Sequence, residues 1–207
     1  MYIPPHFALT EPDAIHRILS AHPLGILVTP LPGGGLDANH IPFEFDPAHG
    51  PHGRLSGHVA RANPVWQQCP DGTPVMVIFR GNEGYISPNW YPSKHEAHRQ
   101  VPTWNYEVVH AHGVLRVRDD ERHVRGVVAR LTRTHDAAEP RPWKMGDSAP
   151  EYIDAMLRNI IGIEVEVTRF EAKAKLGQNK EARDREGAAN ALQQRGSEAL
   201  ARAMRGA

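Results

Sequence analysis

The placement of 18 Gly and 18 Pro residues constrains this chain more than any other feature. Together they exceed a sixth of the sequence, yet they are scattered instead of forming a low-complexity block. Breakers spaced in this way cut a chain into short elements with tight connections. Several segments between them alternate apolar and polar residues. Ile161, Ile163, Val165 and Val167 alternate with Gly162, Glu164, Glu166 and Thr168, the period of a half-buried strand.

The remaining elements follow from local signals. Thr10 to His22 carries Ile15, Ile18 and Leu19 as an apolar stripe, with Thr10 as a candidate cap and Pro23 and Gly25 as stops, which predicts a first helix. Gly25–Thr29 is a buried strand, Pro30–Gly35 a hairpin connection, and Leu36–Phe45 one alternating strand with Ile41, Phe43 and Phe45 on one face. Strands are also expected at Arg54–Val59, Pro74–Arg80 (with Gly84–Ser87 extending it past a bulge), Asn105–Val117 and from Ile161 toward Lys175. Asn63-Pro64 opens a short helix, Pro88 to Gln100 is a loop, and Asp119 to Thr134 has helical spacing. Ser148 and Glu151 form a capping box for a helix to Asn159. Six or so largely sequential strands with peripheral helices give a mainly β, α+β chain. They fit a small antiparallel barrel better than a parallel βαβ sheet. Residues 1–180 form that barrel domain, and residues 181–207 form a helical extension rich in Ala, Arg and Glu.

Composition excludes several classes. With 24 Lys+Arg against 24 Asp+Glu, the chain lacks the overall basic footprint of a nucleic-acid binder. A lone Cys69 forms no internal disulfide. The N-terminus has neither a basic start nor an apolar core of a signal peptide, and no apolar run reaches the length of a spanning helix. The expectation is a soluble, cytoplasmic protein with no membrane partner. The 13 His include His110-x-His112, on one face of a strand, and His95-x-x-His98, on a turn. Neither has a second pair at zinc spacing, so these read as structural, with no metal site. There is no G-x-S-x-G elbow and no phosphate-binding P-loop.

Four clusters carry chemistry. In Gly57-His58-Val59-Ala60-Arg61-Ala62-Asn63-Pro64-Val65-Trp66 a strand end meets a helix start beside an Arg, the ingredients of a phosphate site; a solvated turn is the alternative. Gly84 to Pro92 places Tyr85, Trp90 and Tyr91 among Ser87 and Asn89, either a wall for a flat ligand or an aromatic cap on a barrel end. Pro102-Thr103-Trp104-Asn105-Tyr106 repeats that mixture. Lys173 to Lys180, with Lys175, Gln178 and Asn179, is an anion site or a solvated basic turn.

MYIP at the start, Asn39-His40-Ile41-Pro42, GHVARANPVW, YISPNWY, VPTWNY with VVH, and GIEVEV with KAKLGQN resemble, in order and spacing, the PaiB family. Its members are described as FMN-binding negative transcriptional regulators. The resemblance spans Met1 to about residue 195. It implies an FMN-binding split β-barrel of antiparallel Greek-key type, working as a homodimer with FMN at the subunit interface. Carried onto this chain, His58, Val59, Ala60, Arg61 and Asn63 lie on the phosphate and ribityl side, with Arg61 as charge partner. The backbone of Asn39, His40 and Ile41, and the segment Ser87, Trp90 and Tyr91, form the isoalloxazine wall. Pro102 to Tyr106 lie near the flavin, with Lys175, Gln178 and Asn179 as further contacts.

Two other classes compete with the regulator. One is a flavin-dependent oxidoreductase using NAD(P)H, in which the flavin performs the chemistry. The other is a flavin or haem carrier. For a regulator, direct DNA contact would fall to a local patch of Arg116, Arg118, Arg122, Arg125, Arg130 and Arg133, although no helix-turn-helix is visible.

Overall fold

The computed structural model describes all 207 residues. Seven strands form one sheet: β1 (Leu24–Pro30), β2 (Leu36–Pro42), β3 (Glu44–Asp46), β4 (Arg54–Ala60), β5 (Pro74–Ile86), β6 (Thr103–Arg118) and β7 (Ile160–Lys175). Their order is β2-β1-β5-β6-β7-β4-β3. The chain divides into two compact units. One comprises Met1–Ala21, Arg80–Val109 and Glu171–Ala207; the other comprises His22–Phe79 and His110–Phe170. The long strands β5, β6 and β7 run from one unit into the other.

In the unit built from His22–Phe79 and His110–Phe170, the sheet must curl. Its outermost strands, β2 and β3, are separated in sequence by Phe43 alone, so the two edges meet there. A Cβ added at Gly25 on β1 would lie 2.9 Å from the Phe43 ring, and one at Gly57 on β4 would lie 3.2 Å from it and 3.0 Å from the Pro42 carbonyl. The absence of side chains at these two glycines is what lets the edges close around Phe43. Leu36–Phe45 was expected as one strand; closure breaks it at Phe43, and its two parts pair with β1 and β4 on opposite edges. Inward positions are buried and mostly apolar, among them Leu27, Ile41, Phe43, Leu55, Val59, Val77, Phe79, Ala111, Leu115, Ile161, Ile163 and Val165, with Thr29 the polar exception on β1. The hairpin between β1 and β2 turns on Gly33, Gly34 and Gly35, all at positive φ, a conformation glycine reaches without strain.

Helices α2 (Val65–Gln68), α4 (Glu121–His135) and α5 (Pro150–Leu157) belong to the same unit. The Asp120 carboxylate caps α4 by accepting the His123 amide at 2.7 Å. The expected Ser148 cap of α5 is absent: the helix starts at Pro150 behind Ala149, with no side-chain cap.

The other unit holds α1 (Pro12–Ala21), α3 (Pro92–Ala97), α6 (Ala182–Gln194) and α7 (Glu198–Arg205). The segment expected as a loop, Pro88 to Gln100, contains a short 3-10 turn at Pro88–Trp90 and then α3. The extension expected at Gly84–Ser87 is present, since β5 runs from Pro74 to Ile86. Residues 181–207 supply Ala188, Ala189, Leu192, Leu200, Ala201 and Met204 to one apolar cluster with Ile86, Tyr91, Ala174 and Leu176. No helix is long and apolar enough to cross a membrane.

Candidate functional site

The sequence-predicted residues fall into two sets, one in each unit. In the barrel unit, β2 presents Asn39 half-buried, His40 outward and exposed, and Ile41 in the core. The Asn63 side-chain amide donates to the Asn39 carbonyl oxygen at 2.7 Å, and the Asn63 oxygen accepts the Val65 amide at 2.9 Å. Asn63 thus holds the turn that leads into the short helix, whose N-cap position is Pro64, and ties it to β2. Val59 is buried with the barrel core, whereas Ala60 is exposed.

Arg61 follows directly on β4, and every part of its guanidinium is engaged. Nη2 and Nη1 grip the Asp119 carboxylate at 2.6 and 3.0 Å, Nε donates to the Arg158 carbonyl at 2.7 Å, and Nη2 reaches the Ile160 carbonyl at 3.5 Å. The hydrogen bond from Arg61 holds the Asp119 carboxyl below its ordinary pKa, and the same bond raises that of Arg61. Both side chains are well exposed, at 41% and 51%. An exposed pair of this kind contributes little to stability, so its partner is exchangeable.

His58 lies between these features on β4. Its Nδ1 is buried and has no hydrogen-bond partner, and burial lowers its pKa from 6.5. The consequence for stability has a definite sign. The folded state resists protonation, so the unfolded chain binds the extra proton and stability falls as pH drops below about 6.5. It is fully present above that value. Replacing His58 by Gln is expected to flatten this loss, whose slope cannot exceed about 1.4 kcal/mol per pH unit for one proton. Urea denaturation between pH 7.5 and 5 checks it; an unchanged slope in His58→Gln assigns the acid sensitivity elsewhere.

In the other unit, Trp104 and Tyr85 pair edge to face with centroids 6.5 Å apart, and each is about half exposed (50% and 49%). The Lys175 amine donates to the Thr103 hydroxyl and, at 2.9 Å, to the Trp104 carbonyl. Thr103 therefore serves the lysine, and Pro102 is exposed just before the strand. Tyr106 lies under the Lys173 amine, 5.3 Å from the ring centroid. Ser87 caps the 3-10 turn by accepting the Asn89 amide at 3.2 Å, and Trp90 stacks beneath Arg195 at 4.9 Å.

Some singled-out side chains are committed to structure. Tyr91 is 2% exposed and lies in the apolar cluster, where burial, then Asp184, raise its phenol pKa. Asn105 is buried and donates to the Met204 sulfur at 3.5 Å. Gln178 ties off the end of β7 by accepting the Leu176 amide and donating to the Ala174 carbonyl; Asn179 is exposed. Lys173, the first residue of the basic cluster that runs to Lys180, is 8% exposed and also donates to the Tyr2 carbonyl at 3.3 Å. On β6, the rings of His110 and His112 share a face as the spacing implied, 6.4 Å apart.

The seven-stranded antiparallel sheet with flanking helices is the split barrel of flavin-binding proteins. Residues 1–169 match the family described as "Putative FMN-binding domain", and the chain belongs to that family; its cofactor is FMN. A relative in Bacillus subtilis, "Protease synthase and sporulation protein PAI 2", is 29% identical over 89% of this chain and 85% of its own. The crystal structure of conserved hypothetical protein Rv2991 from Mycobacterium tuberculosis superposes with a TM-score of 0.59 at 11% identity, covering 84% of this chain and 91% of that one. The FAD and heme binding protein from Mycobacterium smegmatis gives 0.56 at 17% identity, covering 82% and 73%.

The donor set fits FMN in kind. A dianionic phosphate needs a cation, and Arg61 stands at the end of β4 in an exposed, exchangeable pair. The flavin ring needs apolar walls and hydrogen-bond partners. Tyr85 and Trp104 offer exposed aromatic faces, and the His58 Nδ1 is a buried polar atom still lacking a partner.

Proposed function

We propose that the chain works as a cytoplasmic homodimer that holds FMN at the subunit interface, in the manner of PaiB-type negative transcriptional regulators. One observation carries this reading. The inward face of the barrel unit is buried and, Thr29 on β1 apart, apolar, so a ribityl chain and phosphate would find few hydrogen-bond partners inside it. The cofactor therefore belongs on an outer surface, where a second subunit can cover it.

When bound, FMN supplies hydride or single-electron transfer. The chain's own residues bind and orient it. Arg61 meets the phosphate by exchanging its Asp119 partner, since a guanidinium takes a phosphate in the same bidentate way as a carboxylate. Asn39, His40, Ile41, His58, Ala60 and Asn63 supply backbone and side-chain groups from the barrel unit. Trp104 with Thr103 and Lys175 is a separate candidate contact, a ring face with a cation beside it.

Two substitutions test the phosphate assignment. Arg61→Ala is expected to weaken FMN retention at least tenfold, about 1.4 kcal/mol, whereas Asp119→Asn frees the arginine and keeps or tightens binding. Flavin absorbance after gel filtration reads both. Equal loss in the two variants, or no change in Arg61→Ala, refutes it. A colourless, monomeric preparation that ignores added FMN would refute the whole reading.

Four of the six arginines considered for DNA contact are held by acids, which favours an indirect route or a second reading. Arg116 pairs with Glu166 at 2.9 Å, Arg118 with Glu164 at 2.8 Å, Arg125 with Asp154 at 2.5 Å and Arg130 with Glu44 at 2.5 Å. Cations neutralised in this way release few counterions on meeting DNA. Regulation then runs through the flavin's redox state or a protein partner, or the chain is a flavin-dependent oxidoreductase using NAD(P)H. NAD(P)H consumption without a promoter-fragment shift at low salt selects the enzyme.

A further inference from the structure

We propose that a hollow at the C-terminal end of α4 binds a small amphiphilic anion: an aromatic or short-chain apolar body carrying a carboxylate or sulfonate. The hollow lies wholly within the barrel unit and is independent of the flavin reading. Its volume is about 420 Å³, within the range of small-molecule sites. Ala129, Pro142, Trp143 and Met145 give it apolar walls, and Arg133 and Lys144 stand at its lining, which contains no carboxylate.

Asp136 and Asp147, which flank lining residues, are turned to the backbone. The Asp136 carboxylate accepts the Trp143 amide, and the Asp147 carboxylate accepts the Lys144 amide at 2.9 Å. These bonds have a second effect. Together with the Asp136 amide on the Thr132 carbonyl at 2.8 Å and the Ser148 amide on the Met145 carbonyl at 3.2 Å, they shape the segment after α4 without any ligand. A preformed pocket loses less ordering entropy on binding. Trp143 is 40% exposed, and a large exposed aromatic beside two cations suits a flat anion. The ring would stack on the apolar body while the guanidinium and ammonium take the charge.

Two probes of nearly equal shape separate charge from apolar contact. They are 8-anilinonaphthalene-1-sulfonate and the neutral N-phenyl-1-naphthylamine, each titrated into the full-length protein. The indole N–H signals of the 4 Trp are followed by NMR, with Trp143→Phe assigning the relevant one. The sulfonate is expected to shift the Trp143 indole saturably. Arg133→Gln combined with Lys144→Gln should weaken the sulfonate about tenfold, the scale of one charge-assisted hydrogen bond, and leave the neutral probe within about twofold. Ala129→Phe, which fills the hollow, should remove both. No saturable shift at Trp143, a sulfonate affinity unchanged by the double variant, or equal weakening of both probes would overturn the proposal.

Discussion

Replacing Glu164 by alanine is expected to destabilise the barrel unit by about 3 kcal/mol, the lower end for a broken buried ion pair. Glu164 sits on β7, 1% exposed, and gathers two arginines and an imidazole from three elements. Arg118 on β6 donates Nε to Oε2 at 2.8 Å, Arg54 on β4 brings Nη1 to 2.9 Å from Oε1, and His123 on α4 has Nε2 at 3.7 Å from it. The Arg54 contact is close without being aligned, for Oε1 and the Arg54 Nε are both buried without a hydrogen-bond partner. Charge, more than hydrogen bonding, holds this corner together. Since Arg54 and Arg118 keep some access to water, the cost falls at the low end of the range. Native-state hydrogen exchange of the β4–β7 amides reads it, and a change below about 1 kcal/mol, typical of an exposed pair, would show that the cluster is not stabilising.

A second signature distinguishes lost charge from lost packing. Burial lowers the His123 pKa, with Arg118, Arg54 and Arg130 adding to the effect, and Glu164 is the group that opposes them. Glu164→Gln keeps the shape and removes the charge, so the His123 titration should move further below 6.5. The carboxylate is then no longer available to favour an imidazolium. NMR titration of the His123 ring measures this directly.

The other large effect lies in the second unit. Asp184→Ala is expected to cost about 3 kcal/mol, because it strands several buried donors that each carry a penalty of 1–3 kcal/mol or so when unpaired. Asp184 is 1% exposed. Its carboxylate accepts the Ser93 amide at 3.0 Å, the Ser93 hydroxyl at 2.5 Å and the Gln100 amide at 3.2 Å. Gln100 in turn accepts from Lys180 at 2.7 Å, and that lysine lies 5.3 Å from the Tyr91 ring centroid. A carboxylate from α6 thus caps α3 across the unit. Exchange protection should fall first in residues 92–97 and 182–194. Asp184→Asn retains acceptor capacity and should recover part of the loss; equal stability of Ala and Asn variants would count against the capping role.

α3 also shows why part of the chain was illegible. Tyr91 stands at its N-cap position with no side-chain cap of its own, so Pro92 at the first helical position is the local start signal and no capping side chain accompanies it. The cap that completes the helix lies 91 residues away. Ser148 and Glu151 show the converse: a matching capping pattern was present, and the helix began behind Ala149 without using it. Local patterns name candidates for a hydrogen bond, while burial and approach decide which candidate forms it.

The candidate site divides along the same line. The Asn63-Pro64 pair was legible as the opening of a short helix, although Pro64 and not Asn63 takes the N-cap position. Arg61 was legible as a cation at a strand end, but its ion pair with Asp119, 58 residues away, was not. Tyr91 and Trp104 look alike in sequence, each an aromatic among polar residues. One is buried in a core and the other stands half exposed beside Lys175, a difference set by which surface α6 and α7 cover.

By itself, the sequence determined the alternation that makes β7, the three-glycine hairpin, the apolar stripes of α1 and α4, and the motif order that marks an FMN-binding split barrel. Each is a property of neighbouring residues, fixed by period and backbone freedom. Only the tertiary structure decided that the strand through Phe43 must break where the sheet's edges meet, that residues 181–207 complete an apolar core, and which acids take Arg61, Arg118 and Ser93. Those outcomes depend on groups brought together from distant parts of the chain, where burial makes an unpaired charge or donor costly and so selects its partner.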